Sequence, residues 1–452
     1  MREWSQDKIP GQLMNRLARY RINKSPESQG RALRLIVAEA ARSVPHYRNL
    51  FASAGLAPDG ADCIQALATL PVTSRAGLSE PPHTRFLNER TRENRLYASH
   101  TSGSTGTPAT IFMSKPELNF RRLLLFRAVR TRFSGCLPRT VTDVGQMTAQ
   151  KMPRLIQRYG PVRLTRVPGN APISEQVIQY VRSAPQLLEG YAGCLELLAQ
   201  ELETRRHYPR PRWLISRGEI LTPAARALLA RVFECPVADF YNSEEIGNIA
   251  WDCPDRHGVL HVNTDSCIIE LVDEQGIAVP PGVEGRVVVT NLYNRTMPFI
   301  RYDLGDHATW DRAEPHRCSC GANTPTLAAI DGRSDDFIFL PDSRRVSPLV
   351  VLTTVLNGCA RKTPQGVPLA QVRQFQVVQE VAGEVEVRVV PHGSLPLDLD
   401  HRIQTEFRRL HPAFRVRVSA VTELPLERSG KLKRVVRRAG AESETMPPPA
   451  RR

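Results

Sequence analysis

The stretch that most constrains this chain is Trp213-Leu214-Ile215-Ser216, a buried-strand pattern that leads straight into Arg217-Gly218-Glu219. Pro223 follows at the place where proline suits the first turn of a helix. Pro236-Val237-Ala238-Asp239-Phe240-Tyr241 then reads as the next parallel strand. Strands alternating with helices predict an α/β layered body.

Other segments fill in the expected organisation. Leu33, Ile36, Val37 and Ala40 recur at helical spacing and predict a helix from about Ser28 to Ser43. Pro45 is read as its stop, with Pro45-His46-Tyr47-Arg48 as a turn. Pro185 to Leu202 reads as a short turn and then an apolar helix. Between Cys267 and Leu292 the pattern becomes antiparallel β, with Gly285 to Thr290 its clearest strand. Beyond Asp336, Phe375–Gln379 and Val385–Val390 predict a hairpin around Gly383, Leu399–Leu410 a helix and Phe414–Val421 a strand. This gives a large N-terminal unit over 1–332, a small α+β unit over 333–440, and a tail over 441–452 expected to be disordered.

Composition excludes several classes. The 452 residues are 41% hydrophobic, and apolar stretches such as Leu349 to Leu356 are too short to span a bilayer. Met1 to Gln6 shows no apolar leader core, so a cytoplasmic location and no membrane partner are expected. Nine scattered cysteines do not form a secreted disulfide framework. The net charge of +15 raises nucleic-acid binding, but the basic residues are mostly arginines spread along the chain and no nucleic-acid-binding signature accompanies them. No nucleic-acid partner is expected.

Four segments carry chemistry. Thr101-Ser102-Gly103-Ser104-Thr105-Gly106 is a hydroxyl- and glycine-rich loop whose amides can converge on phosphates, and it lacks the Gly-Lys-Ser/Thr of a Walker loop. The alternative is an ordinary polar loop. Phe240-Tyr241-Asn242-Ser243-Glu244-Glu245 brings an aromatic and two carboxylates to a strand's C-terminal end, where open α/β sheets bind ligands. A carboxylate there suits the Mg²⁺ that accompanies ATP, or the segment is simply a polar strand end beginning a helix. Arg301 to Asp306 and Gly332-Arg333-Ser334-Asp335-Asp336 offer carboxylates for ribose hydroxyls and arginine for phosphate, or are salt-bridged acidic turns. Ser429-Gly430-Lys431 places one of only seven lysines on a loop that can deliver charge to a leaving pyrophosphate, or belongs to a solvated basic run.

The order of these segments resembles the adenylate-forming superfamily of acyl-CoA synthetases, adenylation domains and luciferases, and within it the phenylacetate-CoA ligase and CapK-like branch. The resemblance runs from about Arg42 to Arg438 and includes Ser43–Arg48, Leu70–Ser74, Glu189-Gly190-Tyr191 and Tyr241 through Cys253. It implies that Thr101 to Gly106 bind the β- and γ-phosphates and that Glu219 lines the nucleotide pocket. It further implies that Tyr241 stacks on adenine, Glu245 holds Mg²⁺, and Asp306 holds the ribose with Arg333 nearby. Asp335 would be the hinge of a mobile small domain, and Lys431 the lysine touching acid and α-phosphate. The implied activity is ATP-dependent conversion of a small, aryl or related, carboxylic acid to an acyl-adenylate, followed by transfer to a thiol such as CoA. Transfer to an amine or a carrier-protein thiol stays open, as does a non-catalytic nucleotide-binding protein. Two positions depart from the family pattern: Asn242 replaces a glycine, and Leu340-Pro341-Asp342-Ser343-Arg344-Arg345 replaces an Arg-Gly turn, which puts CoA in question.

Cys253, His261, Cys318 and Cys320 form a candidate Cys₃His zinc set, with His257 as a substitute for His261. Some members of the CapK-like branch carry such a zinc. Four protein ligands would make the site closed and structural. Four unpaired, reduced residues are the alternative.

Overall fold

The structure is a computed structural model that describes residues 2–3, 26–55, 67–74, 78, 83–92, 95–100, 109–132, 138–145, 162–312, 318–359, 372–427 and 430–438. The Thr101 to Gly106 loop and the tail from 441 lie outside the described residues.

Helix α1 (Pro26–Ser43) buries Leu33, Ile36 and Ala40, which the helical repeat places on one face. Helix α2 (Pro45–Ser53) corrects the expected turn. The first helix does end at Ser43 as expected, but Pro45 occupies the first position of the next one, where a missing N–H costs nothing, so the proline starts a second helix in place of the turn. Strand β1 (Arg2–Glu3) pairs with β2 (Tyr97–His100), which pairs with β3 (Thr110–Met113), and α3 (Lys115–Arg132) follows.

The body is an eleven-stranded sheet. Its parallel wing comprises β4 (Thr140–Gly145), β5 (Arg163–Pro168), β6 (Leu187–Gly190), β7 (Trp213–Arg217) and β8 (Val237–Ser243), in the order β5-β4-β6-β7-β8. Helices α4 (Ile173–Ser183), α5 (Ala192–Glu203) and α6 (Pro223–Phe233) cover one face through Val177, Tyr180, Leu195, Leu198 and Leu229. Ala128 and Val129 of α3 cover the other, against Val141, Trp213 and Ile215. Burial on both faces explains the unbroken apolar run of β7. The antiparallel wing continues through β9 (Gly247–Asp252), β10 (Leu260–Val262), β11 (Cys267–Val272), β12 (Glu284–Asn291), β13 (Tyr302–Trp310) and β14 (Thr326–Arg333), in the order β9-β10-β14-β13-β12-β11. The α/β layered fold with an antiparallel region is therefore observed. Strand β6 was concealed in the segment expected to be a turn and a helix.

After the 3-10 turn Ser334–Asp336 come β15 (Ile338–Phe339), β16 (Arg345–Val346) and α7 (Pro348–Cys359). A four-stranded sheet β19-β18-β17-β20 then forms from β17 (Val372–Val381), β18 (Glu384–Pro391), β19 (Arg415–Ala420) and β20 (Val435–Arg437), with α8 (Leu399–Leu410) between β18 and β19. Its core joins Val351 and Val355 of α7 to Val377, Val387, Ile403 and Phe407. Among the described residues no helix is long and apolar enough to cross a membrane.

Candidate active site

The parallel strands point their C-terminal ends at a cleft of about 2280 Å³. Ends of parallel strands in open sheets converge loops and leave a crevice, which is where a ligand is expected. Ala98, Ser99, His100 and Thr110, which flank the undescribed Thr101 to Gly106 loop, line this cleft. So do Glu219, Tyr241, Glu245, Asp306, Arg333 and Lys431.

Tyr241 leaves β8 and donates its hydroxyl to Asp306 Oδ2 of β13 at 2.7 Å. The bond crosses from the parallel to the antiparallel wing. Burial, together with the Asp306 charge, raises the Tyr241 hydroxyl well above its ordinary pKa, so it remains a donor. Arg333 Nε lies 3.8 Å from Asp306 Oδ1. Burial works against the guanidinium charge, but Asp306, Asp336 and Asp335 outweigh it and push its pKa up. Glu245 is buried and accepts from the Tyr302 hydroxyl at 3.3 Å. The segment Glu244–Ile246 is a turn that passes directly into β9, so the alternative of a polar strand end beginning a helix is not what the chain forms. Arg121 of α3 holds that turn, donating to the carbonyls of Glu244 at 2.6 Å and Ser243 at 3.1 Å.

On the other side of the cleft, Glu219 accepts the backbone N–H of Gly193 at 2.7 Å, at the start of α5, and that of Leu432 at 3.1 Å. The second bond fastens the C-terminal loop to the body. Lys431 then projects inward, its Nζ 5.1 Å from the centre of the Tyr191 ring. Burial lowers its pKa, against the pull of Glu219. Gly218 makes room for this: its φ is +74°, and a Cβ there would stand 3.0 Å from Tyr191 and 3.4 Å from Lys431 Cε. Asp335 is exposed on the turn between the two sheets, and Asp336 pairs with Lys433 at 2.8 Å.

A polar group on the parallel wing includes Asp143 and Arg166, which carried no assigned role in the sequence. Arg217 Nη2 reaches Asp143 Oδ1 at 2.6 Å, and Arg166 and Glu189 lie beside them. Burial, with Asp143 adding to it, pushes the Glu189 carboxyl up to about 7. A cluster built from four separate strands leaves no local pattern to read.

Beside the part of the cleft lined by Pro254, His257, Gly258 and Leu260, Cys253, His261, Cys318 and Cys320 bring all four donor atoms within 4.8 Å of one another. Cys253 and Cys318 sulfurs are 3.4 Å apart, and Cys320 Sγ is 3.2 Å from His261 Nε2. His261 Nδ1 faces Thr324 Oγ1 at 3.2 Å, which orients the ring with Nε2 toward the sulfurs. His257 is exposed and outside the cluster.

No family model matches the chain. It is 25% identical over 439 residues to a phenylacetate-coenzyme A ligase of Thermus thermophilus, covering 90% of this chain and 95% of that one. A phenylacetate-coenzyme A ligase of Aromatoleum evansii is 27% identical over 336 residues, covering 71% and 74%. A crystal structure of 2-hydroxyisobutyryl-CoA ligase in the postadenylation state superposes with a TM-score of 0.72 over 93% of this chain and 95% of that one, at 19% identity. Over most of its length the chain is thus similar to phenylacetate-coenzyme A ligases, and its fold is similar to that of a CoA ligase that forms an acyl-adenylate. The same 2-hydroxyisobutyryl-CoA ligase in its thioesterification state superposes on this chain at only 0.58, with similar coverage, so the fold matches the postadenylation structure better.

Proposed function

We propose that this chain is an ATP-dependent, AMP-forming ligase that converts a small carboxylic acid to an acyl-adenylate, releases pyrophosphate, and passes the acyl group to a thiol such as CoA. The observation that carries this reading is the position of Lys431. Its loop is fastened by Glu219, and its ammonium enters the same cleft as Tyr241, Glu245 and Asp306. Attack of one anion, the carboxylate, on another, the α-phosphate, needs positive charge fixed where the repulsion develops. Lys431 supplies it in a water-poor setting where charge counts most. Tyr241 offers an aromatic face for a base. The Asp306 carboxylate, beside Arg333, suits ribose hydroxyls. Glu245 is a hard oxygen donor that would hold Mg²⁺, which would neutralise phosphate charge when bound. Thr101 to Gly106 are assigned to the outer phosphates, and Asp335 to the hinge between a large unit over 1–332 and a small one over 333–440.

Cys253, His261, Cys318 and Cys320 are assigned to structural zinc, because three thiols and an imidazole on one short shell are a tetrahedral zinc donor set with no free position. With ATP and CoA as partners, the cytoplasm is the proposed location. The test is acid-dependent pyrophosphate release from ATP and Mg²⁺ over a panel of acids, run beside Lys431→Ala. Release that collapses in the variant supports the reading, and absence of ATP binding overturns it. Leu340 to Arg345 here form the β15–β16 turn, with Arg344 Nε 2.7 Å from Asp342 Oδ2, in place of an Arg-Gly turn. Amine and carrier-protein acceptors therefore belong beside CoA in the second half of the assay.

A further inference from the structure

One wall of the cleft carries charged side chains on a sheet face that is otherwise apolar. Parallel register sets Asp143 of β4 abreast of Arg166 on β5 and Glu189 on β6. Ile215 of β7 is abreast of Glu189, and Arg217 lies one pleat further along the same face. One pleat before Asp143 and Glu189, that face is apolar: Val141, Leu187 and Trp213 form a core with Ile215 and α3. The sheet thus runs from an oily floor to a charged rim within one side-chain repeat. All four rim residues line the cleft that holds Lys431. Tyr191 neighbours both Arg217 and Lys431, which lie 5.6 Å and 5.1 Å from its ring centre.

Charges are expensive at such a place unless they are matched. The Arg217–Asp143 pair matches two of them at 2.6 Å, with the Asp143 side chain only 5% exposed. Glu189 stays partly exposed to the cleft beside this pair. An acid with a bare aryl or alkyl tail would cover Glu189, which faces the cleft beside Arg217 and Arg166, and offer its carboxylate no donor in place of the water it displaces, which is costly. A hydroxyl or amino group would donate to the carboxylates.

We propose that the acid activated here carries a hydrogen-bond-donating hydroxyl or amino group remote from its reacting carboxylate, received by Glu189 and the Asp143–Arg217 pair. The inference rests on the adenylation reading, since it takes Lys431 to mark the carboxylate end. It separates this cleft from one built for an unsubstituted aryl acid.

The test compares matched acids in the pyrophosphate-release assay with the full chain: phenylacetate against its 4-hydroxy and 4-amino derivatives, and hexanoate against 6-hydroxy- and 6-aminohexanoate. Donor-bearing acids are expected to win by about 100-fold or more in kcat/KM. Glu189→Leu should erase or invert that ratio, and Glu189→Gln, which keeps shape and packing, should shrink it and serves if the leucine variant does not fold. Equal rates within each matched pair, with release still dependent on Lys431, would overturn this inference and leave adenylation standing. A ratio unchanged in both Glu189 variants would also overturn it, assigning the four residues to holding the strands together. Release with no acid at all would remove the adenylation reading and this inference with it.

Discussion

Glu219 and Leu432 are 213 residues apart in the chain, and their carboxylate oxygen and backbone nitrogen are 3.1 Å apart in the fold. The same carboxylate caps the start of α5 through Gly193. One side chain therefore sets the position of the Lys431 loop against the parallel wing. Glu219→Ala is expected to lower the adenylation rate by about 100-fold through misplacement of Lys431. Thiol transfer from a supplied acyl-adenylate should change far less. Measuring both half-reactions on one preparation checks this, and equal losses in the two would count against a positioning role.

Lys431 also predicts a pH profile. Burial lowers its pKa, so the ammonium is lost at a lower pH than for an ordinary lysine, near 10.4. If the charge is required, kcat/KM for the acid falls on an alkaline limb that begins early, because this parameter reports the free enzyme. Lys431→Arg should move the limb upward even if the maximum rate drops. Lys431→Ala should cut the rate on the order of 10²–10³-fold at all pH values. The lowered pKa has a stability side as well: the unfolded chain binds more protons here, so this residue's contribution to folding rises as pH increases through the folded pKa.

Elemental analysis of the purified chain is expected to give about one zinc per chain, held by Cys253, His261, Cys318 and Cys320. Cys318→Ser or a strong chelator should remove the metal and lower the thermal midpoint by several degrees. His257→Ala should leave metal content unchanged, since His257 is exposed and outside the cluster. Full metal retention in Cys318→Ser would reject the assignment.

Arg301 is a clamp within the fold. Buried to 3% exposure, it donates to the carbonyls of Ala68 at 2.8 Å, Leu70, and Gly276 at 2.9 Å, and pairs with Glu270 at 3.1 Å. Arg301→Met would strand the Glu270 carboxylate and orphan several carbonyls. A loss of about 3–5 kcal/mol in denaturant unfolding is expected. Glu270→Gln together with Arg301→Met should recover part of it.

Residue chemistry pointed to the segments that hold Tyr241, Glu245, Asp306 and Lys431, the resemblance picked out these four within them, and the fold gathers all four at one cleft. The α/β body was equally legible from β7, Pro223 and β8. What escaped depended on contacts between distant strands. Asp143, Arg166 and Glu189 converge through parallel register, and no single segment records that register. Arg121 looked like any other arginine of α3, yet it fixes the Glu244 carbonyl. Pro45 misled for a different reason: a proline ends one helix and begins the next equally well, and only the chain's path distinguishes the two. The run from Leu349 to Leu356 was weighed only against a bilayer, although α7 needs its apolar surface on nearly every side within the small unit's core.

The cysteine–histidine cluster occupies a seam. Cys253 follows β9 and His261 lies on β10, and Cys318 and Cys320 precede β14, the next strand across. These three strands lie between β8 and β13, which carry Tyr241 and Asp306. A metal there would therefore act as a rivet through the strands that separate the pair. With it in place β9, β10 and β14 would keep their registration; with it gone, Tyr241 and Asp306 would lose their alignment before either side chain was itself altered.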